Sequence, residues 1–387
     1  MPSRDIALTI TVPAYNVGRY VEQCLQSLAR QTYQDMEIIV VNDGSTDNTG
    51  ELCDYVAKYD DRFRIIHQRN AGLVNARKTA LSHARGRYLG CVDGDDYVDS
   101  TYCETLIDTA LRDASDLVVA GHVRDYKGAK HTHYPKLQAG IYEAQRLSQL
   151  HNMYISAPPV FSHGISTYLW SKIYKTDLYA RYQRAVPDSF SMAEDAACTY
   201  PMIASSQRVS VTHVCEYHYV QHQTSMLKSI AGSWETEAEK VIEVCNHIRL
   251  QTRDHKLVTS IHGQIREYER HQLIARTGGI GITTDGVSIF GTSVPKSSTV
   301  AVYNAGSLGQ RVVQRMQEFE DITIVGWFDH DWEKYLADGL PVQSEESLKT
   351  CSADYFIVAA TAGEFKSKAI ATLRALGIPE GQIIVPS

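Results

Sequence analysis

Three carboxylates stand within four residues in the segment Asp93-Gly94-Asp95-Asp96, directly after an apolar run that ends at Val92. Like charges this close repel each other unless a cation or hydrogen-bond donors lie between them. A divalent metal held by one or two carboxylates and by a ligand's phosphates is the usual solution. Gly94 leaves the backbone free to bend, so that the acids can point at one ion. The alternative is a surface turn whose acids stand at the beginning of a helix.

Three further polar clusters follow predicted strands earlier in the chain. Pro13-Ala14-Tyr15 exposes backbone where the first strand is expected to end. Asp43 follows the second strand and can accept a hydrogen bond from a nucleotide base, while Gly44 permits a tight turn. Asn70 belongs to a third polar segment, which leads to Arg77 on the next predicted helix.

Alternating strand and helix patterns must position these residues. Apolar, β-branched runs predict strands over 8–12, 37–41, 63–67 and 88–92, with apolar residues at helical spacing between them. Repeated βα units of this length predict an α/β fold with a mostly parallel, Rossmann-like sheet covered by helices on both faces. Because ligands bind beyond the carboxyl ends of parallel strands, we expect the four clusters to line one site.

The order and spacing of four segments resemble the family 2 glycosyltransferases, which have the GT-A fold. The resemblance covers residues 5–225, and its segments are VPAYN (12–16), EIIVVNDGSTDNT (37–49), NAGLVNAR (70–77) and DGDD (93–96). Each segment is short, but all four agree with the family in order and spacing at once.

The resemblance implies a role for each residue of the donor side. Asp43 would contact uracil or another base with Tyr15 near it, Arg77 would face the base or the diphosphate, and Asp93 would meet the ribose. Asp95 would be the principal metal ligand, with Asp96 nearby. The remaining donor-binding residues are expected to be Pro13, Ala14, Asn70 and Gly94.

Two downstream segments extend the resemblance to the acceptor side. WSKIY (170–174) resembles the family's acceptor segment and singles out Trp170 and Lys172. Glu194 and Asp195 look like the family's Glu-Asp pair, in which the second acid is the usual general base. A base is needed because the acceptor hydroxyl loses a proton as it attacks the anomeric carbon. The alternative is an acidic helix N-terminus.

His218 and His222 occupy the place where many relatives close the donor site, so one of them could complete the metal shell or touch the diphosphate. With 15 histidines in the chain, a structural role stays open for both. We expect an inverting, Mn²⁺- or Mg²⁺-dependent transfer in which Asp195 deprotonates the acceptor and Glu194 orients either Asp195 or the acceptor. By resemblance the donor is a UDP-sugar, and a glycan, a lipid-linked oligosaccharide or a glycoprotein could be the acceptor.

The chain is expected to have three parts: the GT-A domain over 1–232, a helical connector and linker over 233–298, and a Rossmann-like domain over 299–387. Asn304-x-Gly306-x-x-Gly309 takes the place of a dinucleotide fingerprint, with Asp329 twenty residues later, but its first glycine is replaced. This last part resembles the nucleotide-sugar-binding domains of sugar-modifying enzymes. A structural or interaction module is favoured over a cofactor site there.

Composition narrows the classes further. A net charge of -7 argues against a nucleic-acid-binding protein. The eight cysteines show no CxxC or Cys/His metal spacing, which argues against a disulfide framework or a zinc module. No run approaches 18 apolar residues, so we expect neither a membrane-spanning segment nor a signal peptide. We expect a cytoplasmic protein, and peripheral contact at the inner membrane face and homo-oligomerisation stay open.

Three other function classes stay open. A nucleotidyltransferase would need a Gly-rich, basic triphosphate loop near residue 15, for which the segment 16–19 is a poor match. A dehydrogenase would depend on the C-terminal part, where no catalytic partner accompanies the altered fingerprint. A non-catalytic nucleotide-sugar-binding or glycan-binding protein would be expected to lack some of the acids, yet all four are present: Asp43, Asp93, Asp95 and Asp195.

Overall fold

The computed structural model describes residues 6–126, 129–157, 163–221, 233–361 and 363–386. These residues form two compact units. The first contains the described residues up to Ala157, then 163–221 and Glu243–Ile265. The second contains 233–242 and the described residues from Arg266 onward. Within the described ranges, no helix has the length and apolar character that crossing a bilayer requires.

The first unit is built on two sheets. Its strands are β1 Leu8–Ala14, β2 Met36–Asp43, β3 Phe63–Gln68, β4 Tyr88–Cys91, β5 Tyr97–Val98, β6 Leu117–Val119, β7 His122–Tyr126, β8 Ala129–His133, β9 Gly140–Glu143, β10 Lys172–Lys175, β11 Arg208–Val211 and β12 Tyr217–Val220. Its complete helices are α1 Val21–Ala29, α2 Thr49–Ala57, α3 Leu73–His83, α4 Tyr102–Arg112, α5 Ala144–His151, α6 Thr176–Ala185 and α7 Glu194–Ser205.

The large sheet has eight strands in the order β3-β2-β1-β4-β10-β6-β11-β9. The first four strands are parallel, which confirms the arrangement predicted from the repeated βα pattern. β10 enters between β4 and β6 and is antiparallel to both. A smaller sheet has the order β5-β12-β7-β8. The fold class is therefore α/β with a mixed sheet whose amino-terminal half is wholly parallel.

The central strands are buried on both faces, as parallel strands covered by helices must be. Alternate residues of β2 belong to different cores: Ile38 and Val40 pack with apolar residues of α1 and α4. Ile39 and Val41 instead pack with Ala76 and Ala80 of α3. This alternation places helices on both faces of the sheet and brings the beginning of α3 to the end of β2.

The second unit contains a three-stranded sheet and a five-stranded parallel sheet. Helices α8 Trp234–Thr252 and α9 Val258–Thr277 have residues in both units. The elements that follow are β13 Ile280–Thr283, β14 Gly286–Ile289, β15 Thr292–Pro295, β16 Thr299–Tyr303, α10 Ser307–Met316, β17 Thr323–Asp329, α11 Trp332–Ala337, β18 Gln343–Ser344, β19 Tyr355–Val358, α12 Gly363–Ala375 and β20 Ile383–Ile384. The parallel order β18-β17-β16-β19-β20 agrees with the Rossmann-like sheet predicted for 299–387.

The segment 277–298 differs from its prediction as a linker or loop. It forms the antiparallel strands β13, β14 and β15, joined by tight turns. Two glycines serve those turns, since Gly286 and Gly291 have φ values of 155° and 88°. Val287, Ile289 and Val294 are buried, so the short strands carry an apolar face that the polar composition obscured.

Candidate active site

The acidic turn follows β4 and packs tightly against the end of β1. A Cβ atom added at Gly94 would lie 3.0 Å from the Pro13 carbonyl oxygen and 3.3 Å from Val17 Cγ2, so a larger residue would push the turn outward. Asp93 and Asp95 are partly exposed, whereas Asp96 is buried. The acids therefore lie beyond the carboxyl ends of β1 and β4.

Both carboxylate oxygens of the buried Asp96 accept hydrogen bonds from other residues of the protein. Its Oδ2 accepts a hydrogen bond from the Tyr217 hydroxyl at 2.6 Å, and its Oδ1 accepts one from the Val220 N–H at 2.8 Å. The Tyr217 oxygen in turn accepts the Asp93 N–H at 3.1 Å. Burial, together with Asp95 and Asp93, raises the pKa of Asp96 well above its ordinary value. Asp96 therefore joins β12 to the acidic turn, and this differs from its predicted place beside the metal.

Arg77 lies between the acidic turn and Asp195, the predicted general base. Its guanidinium donates to Asp195 Oδ1 at 2.5 Å and reaches Glu194 Oε1 at 3.4 Å and Asp93 Oδ1 at 3.5 Å. Its side chain is 1% exposed. Burial alone would lower the pKa of Arg77, but Asp195, Asp93 and Glu194 raise it above its ordinary value. The sequence resemblance placed Arg77 at the nucleotide base or the diphosphate of the donor. In the structure its partners are instead carboxylates of the acidic turn and of α7.

Glu194 and Asp195 are the first two residues of α7. The preceding residue, Ala193, has a left-handed backbone with φ of 51°, a conformation that costs a non-glycine residue energy and is concentrated at functional sites. Asp195 Oδ2 accepts the N–H of Leu169 at 3.3 Å, so both of its oxygens are oriented. Burial and the adjacent Asp195 raise the pKa of Glu194, although Arg77 opposes the shift.

The predicted donor side lies at the ends of β1 and β2. The Asp43 carboxylate accepts hydrogen bonds from Gln68 Nε2 at 2.6 Å and from the backbone N–H groups of Ala71 and Gly72 at 3.0 and 2.9 Å. Asn70 Nδ2 donates to the Asp43 carbonyl at 2.9 Å. Asp43 thereby shapes the 70–72 loop around the end of β2.

The end of β1 differs slightly from its prediction. Pro13 was expected to end the strand, but β1 continues through Ala14, which pairs with Asn42 of β2. Tyr15 follows directly and is half exposed. Tyr15 thus follows a strand that pairs with β2, and the 70–72 loop is bonded to Asp43 at the end of β2. A half-exposed aromatic ring in this place could pack against a planar ligand.

Trp170 and Lys172 are buried, at 1% and 0% exposure, so neither side chain forms a surface for an acceptor. Lys172 Nζ donates to the Tyr168 carbonyl at 2.6 Å and to Ser166 Oγ at 2.9 Å. Burial lowers the pKa of Lys172 to about 7. Trp170 stacks on Tyr168. Both residues therefore hold the 166–169 segment beside Asp195 and act on that side of the site indirectly.

His218 and His222 were the two candidates for completing the metal shell or touching the diphosphate, and the structure describes only His218. His218 Nε2 lies 3.0 Å from Asp99 Oδ1, and its ring stacks on Tyr97 with centroids 4.4 Å apart. Those partners belong to β5 and the residue after it, beyond the acidic turn in sequence. His222 lies outside the described residues.

Tyr217 was not predicted as a site residue. The Tyr217-His218-Tyr219 segment attracted attention for its histidine, but β12 is a strand, in which Tyr217 and Tyr219 share one face and His218 takes the other. The period of two was therefore the signal that separates the tyrosines, which contact Trp170, from the histidine.

The residues of the altered fingerprint in the second unit shape its loop, although the Asn304 Oδ1 atom is buried without a hydrogen-bond partner among the described residues. Asn304 has φ of 81°, a left-handed conformation that asparagine tolerates better than most residues. A Cβ at Gly309 would lie 2.0 Å from the Asn304 carbonyl oxygen, so this glycine allows α10 to pack closely. Asp329 Oδ2 accepts the Ala305 N–H at 2.6 Å and Oδ1 accepts the Asp331 N–H at 2.8 Å. These contacts give Gly309 and Asp329 a role in forming the loop.

Residues 9–166 match the family model of Glycosyl transferase family 2. The N-terminal region is a family 2 glycosyltransferase domain. It is similar to the uncharacterised glycosyltransferase EpsJ of Bacillus subtilis, with 34% identity over 219 residues that make up 57% of this chain and 62% of EpsJ. It is also similar to the glycosyltransferase GlyA of Streptococcus pneumoniae, with 32% identity over 232 residues, which are 59% of this chain and 33% of GlyA. The aligned region thus spans less than two thirds of either relative.

Two solved structures are similar to this chain in fold. TarS 1–349 of S. aureus in complex with UDP-GlcNAc is similar to this chain with a TM-score of 0.57 and 20% identity, covering 70% of this chain and 80% of that one. The same TarS fragment in complex with UDP gives a TM-score of 0.51 at 17% identity, covering 73% and 96%. Identities this low show the fold alone, and the fold of the glycosyltransferase domain is GT-A.

Proposed function

We propose that the chain is an inverting glycosyltransferase, which moves a sugar from a UDP-sugar to an acceptor hydroxyl with Asp195 as the general base. The observation that supports this most strongly is the shared contact of Arg77 with Asp93 of the donor-side turn and with Asp195 of α7. One buried guanidinium thereby links the acid expected to bind the donor to the acid expected to deprotonate the acceptor.

Asp195 has the properties that a general base needs. Its Oδ1 is held by Arg77 and its Oδ2 by the Leu169 N–H, so the carboxylate is oriented before the acceptor arrives. Its side chain is 13% exposed, which leaves limited access for a hydroxyl while excluding most water. A positioned base of this kind contributes about 10²–10⁴ to the rate. Since a single displacement inverts the anomeric centre, one base suffices.

The donor is proposed to bind across the ends of β1, β2 and β4. Asp43, Tyr15 and the 70–72 loop would bind the nucleotide base of the donor, and Asp93 would contact its ribose. A UDP-sugar is favoured because a fold neighbour, TarS, has been crystallised with UDP and with UDP-GlcNAc. The acceptor would be a glycan, a lipid-linked oligosaccharide or a glycoprotein.

The residues of the site suit a divalent cation that arrives with the donor. Asp93, Glu194 and Asp195 contact one arginine. With Asp95 two residues from Asp93, the cluster carries an excess of negative charge that a cation would offset. Within the described residues no group of three ligands forms a preformed cage. Mg²⁺ and Mn²⁺ commonly use one or two carboxylates together with substrate phosphates, and Asp95 would supply the carboxylate. When bound, the cation neutralises charge that develops on the departing diphosphate.

A donor-hydrolysis screen tests the proposal. Purified protein is incubated with UDP-glucose, UDP-galactose, UDP-GlcNAc, UDP-GalNAc and UDP-glucuronate, with Mn²⁺ or with EDTA, and UDP release is measured. We expect Mn²⁺-dependent release from at least one of the five donors, and no release with Asp95→Ala. Failure of every donor, or equal release in EDTA, would contradict the proposal.

A further inference from the structure

Tyr168 lies on the side of the site that contains Asp195, the proposed general base, and no role has been assigned to its side chain so far. It precedes Leu169, whose N–H donates to Asp195 Oδ2 at 3.3 Å. Burial raises the pKa of Tyr168, Arg124 opposes the shift, and Asp195 adds to it. Tyr168 remains partly exposed, whereas Trp170 beneath it is buried.

The ring of Tyr168 is the outer layer of an aromatic stack. Its centroid lies 4.2 Å from that of Trp170 with the two planes at 9°, and Trp170 lies 4.5 Å from Tyr217 with the planes at 5°. Tyr219, also partly exposed, lies 5.4 Å from Trp170 and 6.1 Å from Tyr168. Two partly exposed tyrosine rings therefore adjoin each other above a buried tryptophan.

This stack is fixed at both ends. Lys172 Nζ holds the Tyr168 carbonyl at 2.6 Å, and Tyr217 donates to Asp96 at 2.6 Å. Because Asp96 belongs to the acidic turn, the rings are positioned relative to the donor-side acids as well as to Asp195. A surface held this firmly loses little conformational entropy when a ligand binds to it.

Partly exposed tyrosines beside a general base have a specific chemical use. The face of an aromatic ring is electron-rich and attracts the polarised C–H bonds of a pyranose, while the phenol hydroxyl remains compatible with a wet, polyhydroxylated ligand. An open-chain polyol offers no flat array of C–H bonds, and a serine side chain is too short to cover a ring. The base removes the acceptor's proton, so a sugar ring held beside Asp195 is assigned to the acceptor. Because the donor sugar also lies near the attacking hydroxyl, the acceptor KM and the donor KM are measured separately.

We propose that Tyr168 and Tyr219 form a subsite for the sugar ring that carries the acceptor hydroxyl, which makes a cyclic sugar the acceptor class. This inference rests on the proposed function, because it takes Asp195 as the base. Trp170 and Lys172 are the positioning residues of the subsite.

Steady-state kinetics with defined acceptors test the subsite. The donor is the UDP-sugar that the wild-type protein hydrolyses fastest, and the acceptors are methyl β-glucoside, methyl β-galactoside and methyl β-N-acetylglucosaminide, compared with ribitol and a serine peptide. We expect transfer to a glycoside, with a KM for it that rises about tenfold in Tyr168→Ala. Donor KM and the hydrolysis rate without acceptor are expected to stay within about twofold, a split that simple destabilisation would not produce.

Three variants complete the design. Tyr168→Phe keeps the ring and is expected to retain the wild-type acceptor KM. Tyr219→Ala is expected to raise acceptor KM in the same way, and it keeps the test valid if Tyr168→Ala does not fold. Tyr134→Ala removes a tyrosine that is 57% exposed and belongs to no proposed subsite, and it should change nothing.

The inference would be overturned if acceptor KM were unchanged in both Tyr168→Ala and Tyr219→Ala, or if ribitol or the peptide were a better acceptor than every glycoside. In those cases donor hydrolysis would persist, so the proposed function would stand. Loss of hydrolysis in the wild-type protein would instead overturn the proposed function and the subsite together.

Discussion

Replacing Arg77 with methionine removes the guanidinium that contacts Asp93, Glu194 and Asp195 but keeps a long apolar side chain. Removing one partner of a buried ion pair costs about 3–5 kcal/mol of unfolding free energy, because the remaining charges stay buried without compensation. Arg77 is 1% exposed, so water cannot replace it. We expect Arg77→Met to lose this amount, since its three carboxylates would also repel one another.

Lys78→Met provides the matched control. Lys78 is the next residue of α3, and it contacts Asp188 at 2.7 Å, where 59% of the Asp188 side chain is exposed. Exposed pairs of this kind contribute about 0–1 kcal/mol. The two substitutions therefore remove neighbouring cations of the same helix that differ in burial.

The assay can be confined to the first unit. Trp170 is its tryptophan, whereas Trp234, Trp327 and Trp332 belong to the second unit. In a background with those three replaced by phenylalanine, Trp170 fluorescence follows urea unfolding of the glycosyltransferase domain. A loss for Arg77→Met no larger than that for Lys78→Met would refute the reasoning.

Three further predictions follow from the described contacts. Asp95→Ala should weaken UDP binding at least about tenfold in Mn²⁺ but not in EDTA, measured by calorimetry, and persistent Mn²⁺ stimulation would exclude Asp95 as the ligand. Tyr217→Phe should cost about 1–3 kcal/mol in the Trp170 urea assay, because it leaves Asp96 Oδ2 without its donor; an unchanged midpoint would contradict this. Burial lowers the pKa of His151 to about 4, so between pH 6.5 and 4 the unfolded state binds more protons. The free energy of unfolding should therefore decrease by up to about 1.4 kcal/mol for each pH unit by which the pH is lowered in that window, and less steeply in His151→Gln; equal slopes would refute it.

The sequence predicted what local patterns determine. The first four parallel strands and their helices follow from apolar runs and helical spacing, and the family segments follow those strands. The antiparallel insertion of β10 between β4 and β6 was not predictable, because strand order depends on contacts between residues far apart in the chain. The strands within 277–298 were missed because glycine, serine and threonine together outnumber the apolar residues of this segment.

For individual site residues too, the sequence predicted the residue type and position but not the tertiary contacts. That Asp93, Asp95 and Asp96 cluster was visible in the sequence, but which of them faces a ligand depends on Tyr217, 121 residues from Asp96. Trp170 and Lys172 were expected to touch the acceptor, yet both are buried beneath the segment that does lie at the site. Residue type and spacing thus indicate the chemistry, whereas tertiary contacts determine which side chain reaches the ligand.

Single-turnover transfer by Asp195→Asn, with the donor saturating, tests the central claim most directly. Asparagine keeps the size of the side chain and one oxygen, which can accept from Arg77 or from the Leu169 N–H, but it cannot take up the acceptor's proton. We predict that transfer falls by about 10²–10⁴ while the dissociation constant for UDP stays within about threefold of the wild-type value. Transfer at the wild-type rate would show that another group, or none, deprotonates the acceptor.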